Sequence, residues 1–367
     1  MRILLMAPFE RGRQHGGSQR ATAMAERLED RGAEVVWQAF PGVSTSMLAK
    51  LRTDVLLRPA LLDGYPEGEP ARSGDFDAVI SSHSYLAWHL QEFPRGIARM
   101  IDFHNLEWRT LANAAASVRG FRALHPWLQV ALMRRFERRA LRRCDVASFT
   151  SDEEFSWARR LNPPVDLLLV PSVLPRAAEQ QALAVVAAGG QAEERLAYIG
   201  SLDFPPNVRT LLRFLERNWS AMRSAAPNLR LTIAGRCDER DRVLLDQFEG
   251  VEVLGFVEDV APLLGRSAAM ILPVDGWGGT SLRAMYYALA GIRVIGSKAA
   301  FRGLPWEMGS VAETPAQWAH AVRLLLDGSL EPDMRTEAAR AAAWTLQRDG
   351  APWDRLMTAL TSTSVAR

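Results

Sequence analysis

Residues 273–295 read PVDGWGGTSLRAMYYALAGIRVI, and this stretch decides the fold. It follows the apolar run Ala269–Leu272 and continues from a glycine-rich loop into a helical pattern, which ends at residues 290–291 before a second apolar run. A strand, a tight turn, a helix and another strand form the repeating unit of a parallel α/β sheet. Glycines let the backbone approach a ligand, and Thr280 or Ser281 can cap the helix. The stretch therefore predicts a parallel α/β fold with an anion site at this turn.

The same alternation of short apolar runs and amphipathic stretches extends over the whole chain in two series. The strands predicted in the first series are Arg2–Met6, Glu34–Ala39, Ala78–Ser81, Ala98–Asp102, Val146–Thr150 and Leu167–Val170. Those of the second series are Leu196–Ile199, Leu229–Ala234, Val251–Leu254, Ala269–Leu272 and Arg293–Ile295. The length of 367 residues suits two domains. We predict two doubly wound Rossmann-like domains, residues 1–173 and 195–349, joined by residues 174–194, which we interpret as a linker plus a helix or an excursion of the chain.

Composition excludes several classes of protein. The formal net charge is only +2, so the charge balance indicates no nucleic-acid partner. Cys144 and Cys237 are the only cysteines and lie in different halves, which rules out a disulfide framework or a zinc motif and is typical of a reducing cytosol. No apolar run approaches the roughly 18 residues of a membrane span. We predict a cytoplasmic protein that binds no nucleic acid.

Two features of the first half lie where predicted strands end. Gly16 and Gly17 follow the first strand and open a helix, but their spacing does not match a dinucleotide fingerprint, which disfavours a dehydrogenase. His104 follows the strand Ala98–Asp102, at the sheet edge where ligands bind. The alternatives are a tight turn that binds nothing and a loop histidine bonded to the backbone. His83, which follows another strand, ranks below His104 as a candidate.

Arg283 is the charged residue in the first turn of the helix that the deciding stretch predicts. The helix dipole disfavours a cation at this position. A bound phosphate would offset this unfavourable interaction with the helix dipole, because a guanidinium can bind a phosphate with two parallel hydrogen bonds. The alternative is a capped helix with a solvated arginine.

These residues resemble those of family 4 retaining glycosyltransferases. The pattern Pro273…Gly278-Gly279-Thr280-x-Leu282-Arg283…Ala288-x-Ala290-Gly291-x-x-Val294-Ile295 is similar to the donor-site segment of that family. Further segments agree in order: Gly16-Gly17, Asp102-Phe103-His104-Asn105, Tyr198-Ile199-Gly200-Ser201-Leu202…Pro206-Asn207, Ile233-Ala234-Gly235-Arg236 and Val253–Val260. The resemblance covers most of the chain and is most specific in the second half.

The resemblance implies the GT-B fold, with a cleft between the two domains and a last helix that returns to the first domain. Residues 350–367 form that last segment, and Trp353–Leu360 is the candidate helix. The resemblance also implies retention of the anomeric configuration and no metal. The chain departs from the family at two glutamates, one for the sugar and one for the ribose, whose positions are Gly278 and Tyr286 here.

The resemblance also implies a set of site residues. His104 would contact the transferred sugar or the acceptor, and Arg283 the diphosphate, so we predict both as catalytic. The residues predicted to bind the donor are Gly16, Gly17, Gly200, Arg236, Trp277, Gly278, Gly279, Thr280, Ser281, Leu282 and Tyr286. The nucleoside diphosphate sugar is a substrate, and no further cofactor or metal is expected.

The predicted helix Trp127–Arg143 is strongly basic from Arg134 to Arg143. Such a helix can rest on an anionic membrane that bears a lipid-linked acceptor. The alternative is a solvated arginine face around a stripe of Leu132, Phe136 and Ala140. With the membrane interpretation, the cytoplasmic protein would make a peripheral contact with the inner membrane face.

We interpret the chain as a glycosyltransferase that moves a sugar from a nucleoside diphosphate sugar to an acceptor hydroxyl, in polysaccharide or glycoconjugate biosynthesis. A catalytically silent relative that binds a nucleotide or saccharide and acts through a partner is the main alternative, since both glutamates are lost. A sugar-nucleotide epimerase is disfavoured, because the loop follows the transferase pattern. Polysaccharides, lipid-linked glycans and small natural products all remain as acceptors.

Overall fold

The computed structural model describes residues 1–12, 16–40, 42, 59–64, 75–94, 96–116, 118–188, 193–203, 205–274, 281–302, 304, 309–327 and 333–365. The chain divides into two compact units. The first contains Met1–Pro175 and Asp349–Arg367, and the second contains Arg176–Asp275 and Ser281–Arg348. Four residues predicted to bind the donor, Trp277, Gly278, Gly279 and Thr280, lie outside the described residues.

The first unit is built on a parallel sheet. Its described strands are β1 (Arg2–Ala7), β2 (Glu34–Ala39), β3 (Ala78–Ser82), β4 (Ala98–Phe103), β5 (Val146–Phe149) and β6 (Asp166–Leu169). They lie in the order β2-β1-β3-β4-β5-β6. All six predicted strands are found, each within a residue of its predicted ends. A sheet of this kind is covered on both faces, which explains why Ile3, Leu4, Leu5 and Met6 are all fully buried.

Alternate side chains of β1 enter different cores. Ile3 and Leu5 pack in one apolar cluster, whereas Leu4 and Met6 pack in another. Because successive side chains of a strand point to opposite faces, the two clusters lie on the two faces of the first sheet.

Helices connect the strands of the first unit. They are α1 (Gly16–Glu29), α2 (Glu107–Ala116), α3 (Leu124–Ala140) and α4 (Asp152–Arg160), with 3₁₀ helices at Ala60–Gly64, Ser84–Glu92 and Gly120–Ala123. Helix α4 begins at residue 152 because the Ser151 side chain accepts the N–H of Glu154, and three acidic residues occupy its first turn.

The second unit repeats this architecture. Its described strands are β7 (Glu193–Ile199), β8 (Arg230–Ala234), β9 (Val251–Gly255), β10 (Ser267–Leu272), β11 (Val294–Gly296) and β12 (Ser310–Val311). They form a parallel sheet in the order β12-β11-β10-β7-β8-β9. The five predicted strands are present, and β12 is an edge strand of two residues that the sequence pattern did not indicate.

The helices of the second unit include one in the segment predicted as linker plus helix. They are α5 (Arg176–Ala188), α6 (Pro205–Phe214), α7 (Ser220–Ala225), α8 (Glu239–Asp246), α9 (Ala261–Arg266), α10 (Leu282–Leu289), α11 (Pro315–Leu326) and α12 (Asp333–Arg348), with a 3₁₀ helix at Lys298–Phe301. Helix α5 packs against α9 and α10 of its own unit. The single helix predicted over Asn207–Arg223 is interrupted by a π-helical turn at Leu215–Trp219.

The last helix, α13 (Ala351–Val365), belongs to the first unit. Trp353, Leu356 and Leu360 enter the apolar cluster that holds Ile3 and Leu5. Arg31, two residues after α1, makes two hydrogen bonds to the start of α13. Its Nε lies 2.8 Å from Asp354 Oδ1, and its Nη2 lies 2.9 Å from the Gly350 carbonyl oxygen. The predicted return of the last helix to the first domain is therefore confirmed. Of the helices that the structure describes, none is long and apolar enough for a membrane span.

Candidate functional site

The strand order identifies the candidate ligand-binding edge of each sheet. In the first sheet, the chain places β2 on one side of β1 and β3 on the other, so the order reverses between β1 and β3. In the second sheet the order reverses between β7 and β10. Parallel α/β sheets bind ligands in the crevice that such a reversal opens at the carboxyl ends of the strands. Both predicted catalytic residues follow strands near these reversals.

The first group of side chains, here called the histidine cluster, consists of Gly17, Arg20, His83, Asp102 and His104. His104 follows β4 directly, and its side chain is buried. Its Nε2 lies 3.0 Å from Asp102 Oδ2 and 3.0 Å from Ser82 Oγ. The structure thus brings the carboxyl ends of β3 and β4 together at one imidazole.

Asp102 contacts both Arg20 and His104 in the histidine cluster. It is fully buried and receives two parallel hydrogen bonds from Arg20, at 2.9 Å from Nε and 2.7 Å from Nη2. Ser148 also donates its hydroxyl to this carboxylate. Burial alone would raise the pKa of Asp102, but the charge of Arg20 and the contact with His104 outweigh it and hold the pKa well below its usual range. Asp102 is therefore ionised at neutral pH.

His104 is neutral beside this carboxylate. Burial lowers its pKa below the ordinary value, although Asp102 acts in the opposite direction. An ionised carboxylate can only accept hydrogen bonds, so Nε2 of His104 carries the proton and Nδ1 keeps a lone pair. Within the described part of the chain, Nδ1 makes no hydrogen bond. The arrangement can accept one hydrogen bond from a hydroxyl group.

His83, which the sequence analysis ranks below His104, packs against His104 with the two ring planes tilted by 40°. Its ring centroid lies 3.9 Å from that of His104. The backbone of His83 has a φ of 123°, a conformation that costs a residue with a side chain about 1–3 kcal/mol. A strained backbone at the carboxyl end of a strand makes His83 a candidate functional residue. The signal in the sequence was the polar run Ser81–Ser84 after a strand.

The two glycines of the first loop differ in their surroundings. A Cβ atom on Gly17 would lie 3.1 Å from Phe9 Cε1 and 3.3 Å from His83 Cε1, so a side chain there would press on the histidine cluster. A Cβ atom on Gly16 would meet nothing within 4 Å. Gly17 therefore lies against the cluster, while Gly16 begins α1 at the exposed surface.

The second group, here called the arginine site, lies where β7 ends and α10 begins. Ser281 caps α10 by accepting the N–H of Ala284 at 3.3 Å. Arg283 in the first turn donates from Nη1 to Tyr198 Oη at 2.9 Å, and its guanidinium lies 5.3 Å from the centre of the Tyr198 ring. No carboxylate among the described residues pairs with Arg283. A partly buried cation without an anion, beside the unpaired N–H groups of a helix start, suits a phosphate ligand.

Close backbone packing at Gly200 and Gly235 shapes the arginine site. A Cβ atom on Gly200 would lie 2.8 Å from Tyr198 Oη and 3.0 Å from Arg283 Nη1. Gly235 has a φ of 156°, and a Cβ atom there would lie 1.8 Å from the Gly200 carbonyl oxygen. The backbone contact excludes a side chain at Gly235, and a side chain at Gly200 would displace Tyr198 or Arg283.

Three other residues predicted to bind the donor have different surroundings. Arg236 is exposed, with its guanidinium over the ring of Phe256 at 5.5 Å. Leu282 is buried, so its side chain serves the core. The hydroxyl of Tyr286 is buried and makes no hydrogen bond to the described residues. Burial, with a smaller contribution from Asp259, raises the pKa of Tyr286 to about 12.

The chain is similar to known glycosyltransferases in sequence over part of its length. Residues 193–328 match the family described as "Glycosyl transferases group 1". This segment extends from β7 to just beyond α11 and contains the whole arginine site. The histidine cluster lies outside it. No curated protein matches the chain.

Solved structures share the fold over almost the full length. Sucrose-phosphate synthase from Thermosynechococcus elongatus has a TM-score of 0.64 at 16% identity, and the match covers 100% of both chains. The α,α-trehalose 6-phosphate synthase from Burkholderia multivorans has a TM-score of 0.62 at 13% identity, covering 100% of this chain and 99% of the other. Anabaena HepE, solved with UDP-glucose, has a TM-score of 0.61 at 12% identity, covering 98% and 100%. The predicted GT-B fold is thereby confirmed.

Proposed function

We propose that the protein is a glycosyltransferase that moves a sugar from a nucleoside diphosphate sugar to an acceptor hydroxyl, with retention of configuration and without a metal ion. The observation that carries the proposal is Arg283, a cation that no described carboxylate neutralises, in the first turn of a capped helix at a ligand-binding strand edge. The match of residues 193–328 to glycosyl transferases group 1 supports a sugar nucleotide as the anionic ligand.

The donor side of the reaction would use the arginine site. When the bond between the anomeric carbon and the diphosphate oxygen breaks, negative charge grows on the diphosphate. Arg283 and the N–H groups at the start of α10 would stabilise this charge because they are positioned before the reaction begins. A uridine diphosphate sugar is the first donor to test, since HepE was solved with UDP-glucose.

The acceptor oxygen would bond to the face of the anomeric carbon that the diphosphate leaves. Its proton would pass to the departing diphosphate oxygen, so that protons and charge balance without a carboxylate nucleophile. His104 would accept a hydrogen bond at Nδ1 from a hydroxyl of the transferred sugar or of the acceptor. Asp102 and Arg20 would act as positioning residues, because they orient the imidazole without contacting the substrate.

A panel of nucleoside diphosphate sugars tests this proposal. We expect one donor to release its nucleoside diphosphate only when a hydroxyl acceptor is present, and to do so equally well with a chelator. Nuclear magnetic resonance of the product should show the anomeric configuration of the donor. Inversion would refute the retaining mechanism, and loss of activity with the chelator would refute metal independence.

The second candidate is a catalytically silent relative that binds a nucleotide and acts through a partner. It is favoured by Tyr286, whose enclosed hydroxyl stands where the resembling family has a carboxylate. Calorimetry on the same panel separates the two functions. Binding of a sugar nucleotide with neither transfer nor hydrolysis, for any acceptor class in the panel, would support the silent protein over the enzyme.

A further inference from the structure

Helix α3 carries a row of exposed apolar side chains near its start. Phe121 in the preceding 3₁₀ helix is 81% exposed, and Leu124, Trp127 and Leu128 are 73%, 48% and 41% exposed. Positions 124, 127 and 128 share one face of a helix, because they are three and four residues apart. Single exposed apolar residues are common, but four large ones within eight positions are typical of a surface that contacts something apolar.

The second half of the same helix face is basic. Arg135 and Arg138 continue the stripe of residues 124, 128 and 131, and all of these side chains are exposed. Neither arginine pairs with a carboxylate among the described residues. Like charges at helical spacing repel each other, so an anionic surface would relieve this repulsion.

A pocket of about 410 Å³ opens beside this stripe. Leu62, Trp88 and Phe136 contribute apolar walls, and Arg135, Arg139 and Arg143 line it from α3 and the turn that follows. The three arginines are spaced four residues apart and therefore lie along one side of the pocket. Apolar walls with a row of cations suit an alkyl chain that carries an anionic head group.

We propose that the exposed face of α3 docks on an anionic lipid bilayer and that the pocket beside it takes the chain and head group of one anionic lipid. The apolar start of α3 would enter the interface, while the arginines would contact phosphates. This proposal extends the peripheral contact expected for Arg134–Arg143 to four apolar residues and a lipid-binding pocket. It does not depend on catalysis, so it can fail while the proposed transferase function holds.

Vesicle flotation with the full chain tests the docking. We expect binding to phosphatidylcholine vesicles that contain 30% phosphatidylglycerol, weaker binding at high salt, and no binding to pure phosphatidylcholine. Reversing Arg135 and Arg139 to Glu should weaken binding at least tenfold, since each reversal replaces an attraction to the anionic surface with a repulsion. The matched control reverses Arg159 and Arg160, two exposed arginines at the end of α4, and should bind like the parent.

The apolar half is tested separately. Trp127→Ser with Leu128→Ser should also lose vesicle binding, whereas Val243→Ser, at an exposed position of the second unit, should not. Equal vesicle binding by the parent and by both α3 variants would overturn the proposal. Tight binding to single-stranded RNA would also overturn the proposal if the arginine reversals abolished it and the serine substitutions left it unchanged. The face would then be a nucleic-acid surface.

A soluble short-chain phosphatidic acid, used below its micelle concentration, tests the pocket. We expect saturable binding that Leu132→Trp blocks by filling the pocket, and no competition from millimolar inorganic phosphate. Full competition by phosphate would overturn the lipid assignment, since the arginines would then bind a free anion. Circular dichroism and thermal unfolding check that each variant is folded.

Discussion

At the scale of single residues, Arg283 has the clearest expected effect. Removing a charge-assisted hydrogen bond costs about 1.5–3 kcal/mol, so Arg283→Ala should weaken uridine diphosphate binding roughly ten- to a hundredfold. Titration calorimetry measures the change, with Arg240→Ala, at an exposed position of α8, as the matched control. Unchanged affinity in a folded Arg283→Ala protein would remove the arginine from the donor site.

His104 should affect turnover more than nucleotide affinity. We expect His104→Ala to lower kcat strongly while the affinity for nucleoside diphosphate stays near that of the parent. His104→Gln should recover part of the rate, because an amide oxygen can also accept a hydrogen bond. Since burial lowers the pKa of His104, the imidazole stays neutral to a lower pH than an ordinary histidine does. The rate of the parent should therefore persist below pH 6.5. A His104→Ala enzyme as fast as the parent would contradict the catalytic role of His104.

Tyr286 bears on how the protein reads the ribose. Its buried hydroxyl offers no pair of anionic acceptors, so Tyr286 cannot replace the glutamate with which the resembling family pairs ribose hydroxyls. We expect uridine diphosphate and its 2′-deoxy analogue to bind within about tenfold of each other, or about 1.4 kcal/mol. Affinities measured at one salt concentration decide the point, and a much larger preference for ribose would indicate another acceptor.

The sequence predicted those site residues that depend on local patterns. Ser281 as a helix cap and Arg283 in the first turn could be derived from the spacing of glycines and polar residues alone. The hydrogen bonds of Arg20 to Asp102 could not, because 82 positions separate the two residues. The positive φ of His83 could not be predicted either, because a polar run after a strand does not specify the backbone conformation of one residue.

At the scale of secondary structure, a buried glutamate joins two helices. Glu137 of α3 accepts the N–H groups of Glu107 and Trp108 at the start of α2, at 3.0 Å and 3.3 Å, and the hydroxyl of Ser84 at 2.8 Å. Burial and the nearby Glu107 outweigh these donors and raise the pKa of Glu137 to about 8. The folded protein therefore keeps a proton that the unfolded chain, with its pKa near 4.5, would release.

This difference in pKa predicts how stability changes with pH. Between about pH 4.5 and pH 8 the folded state binds more protons, so the unfolding free energy should fall as pH rises, by up to about 1.4 kcal/mol per unit for one proton. Glu137→Gln should reduce that slope, because the amide does not titrate and its oxygen can still accept the N–H of Glu107 and the hydroxyl of Ser84. Urea unfolding at several pH values measures it. A parent whose stability rises over this range would show that the three donors keep Glu137 ionised.

The regular elements were more predictable than their interruptions. Continuous apolar runs identified five of the six described strands in the second sheet, since parallel strands are buried on both faces. Strand β12 was missed because two residues are too few to form a pattern. The π-helical turn Leu215–Trp219 was missed because the residue pattern over Asn207–Arg223 fits one continuous helix.

At the scale of the whole molecule, α13 should stabilise the first unit specifically. Leu356 is fully buried against the cluster of Ile3 and Leu5, so Leu356→Ala should cost about 2–5 kcal/mol of unfolding free energy. Chemical denaturation measures this loss. Hydrogen exchange of the folded variant should be faster than in the parent in the strands of the first sheet and unchanged in those of the second. Arg355→Ala, one residue away and exposed, is the control. Equal destabilisation of both sheets would argue against a separate first unit.

Helix α13 also has a consequence for how the protein is made. All the described strands of the first sheet leave the ribosome early, but the helix that completes their core follows only after the second unit has been synthesised. At the usual pace of about 5–20 residues per second, this delay lasts roughly 10–35 s. During that interval the nascent chain presents an uncovered apolar strip to chaperones and proteases. Translation speed across the second unit therefore sets how long each new molecule is vulnerable.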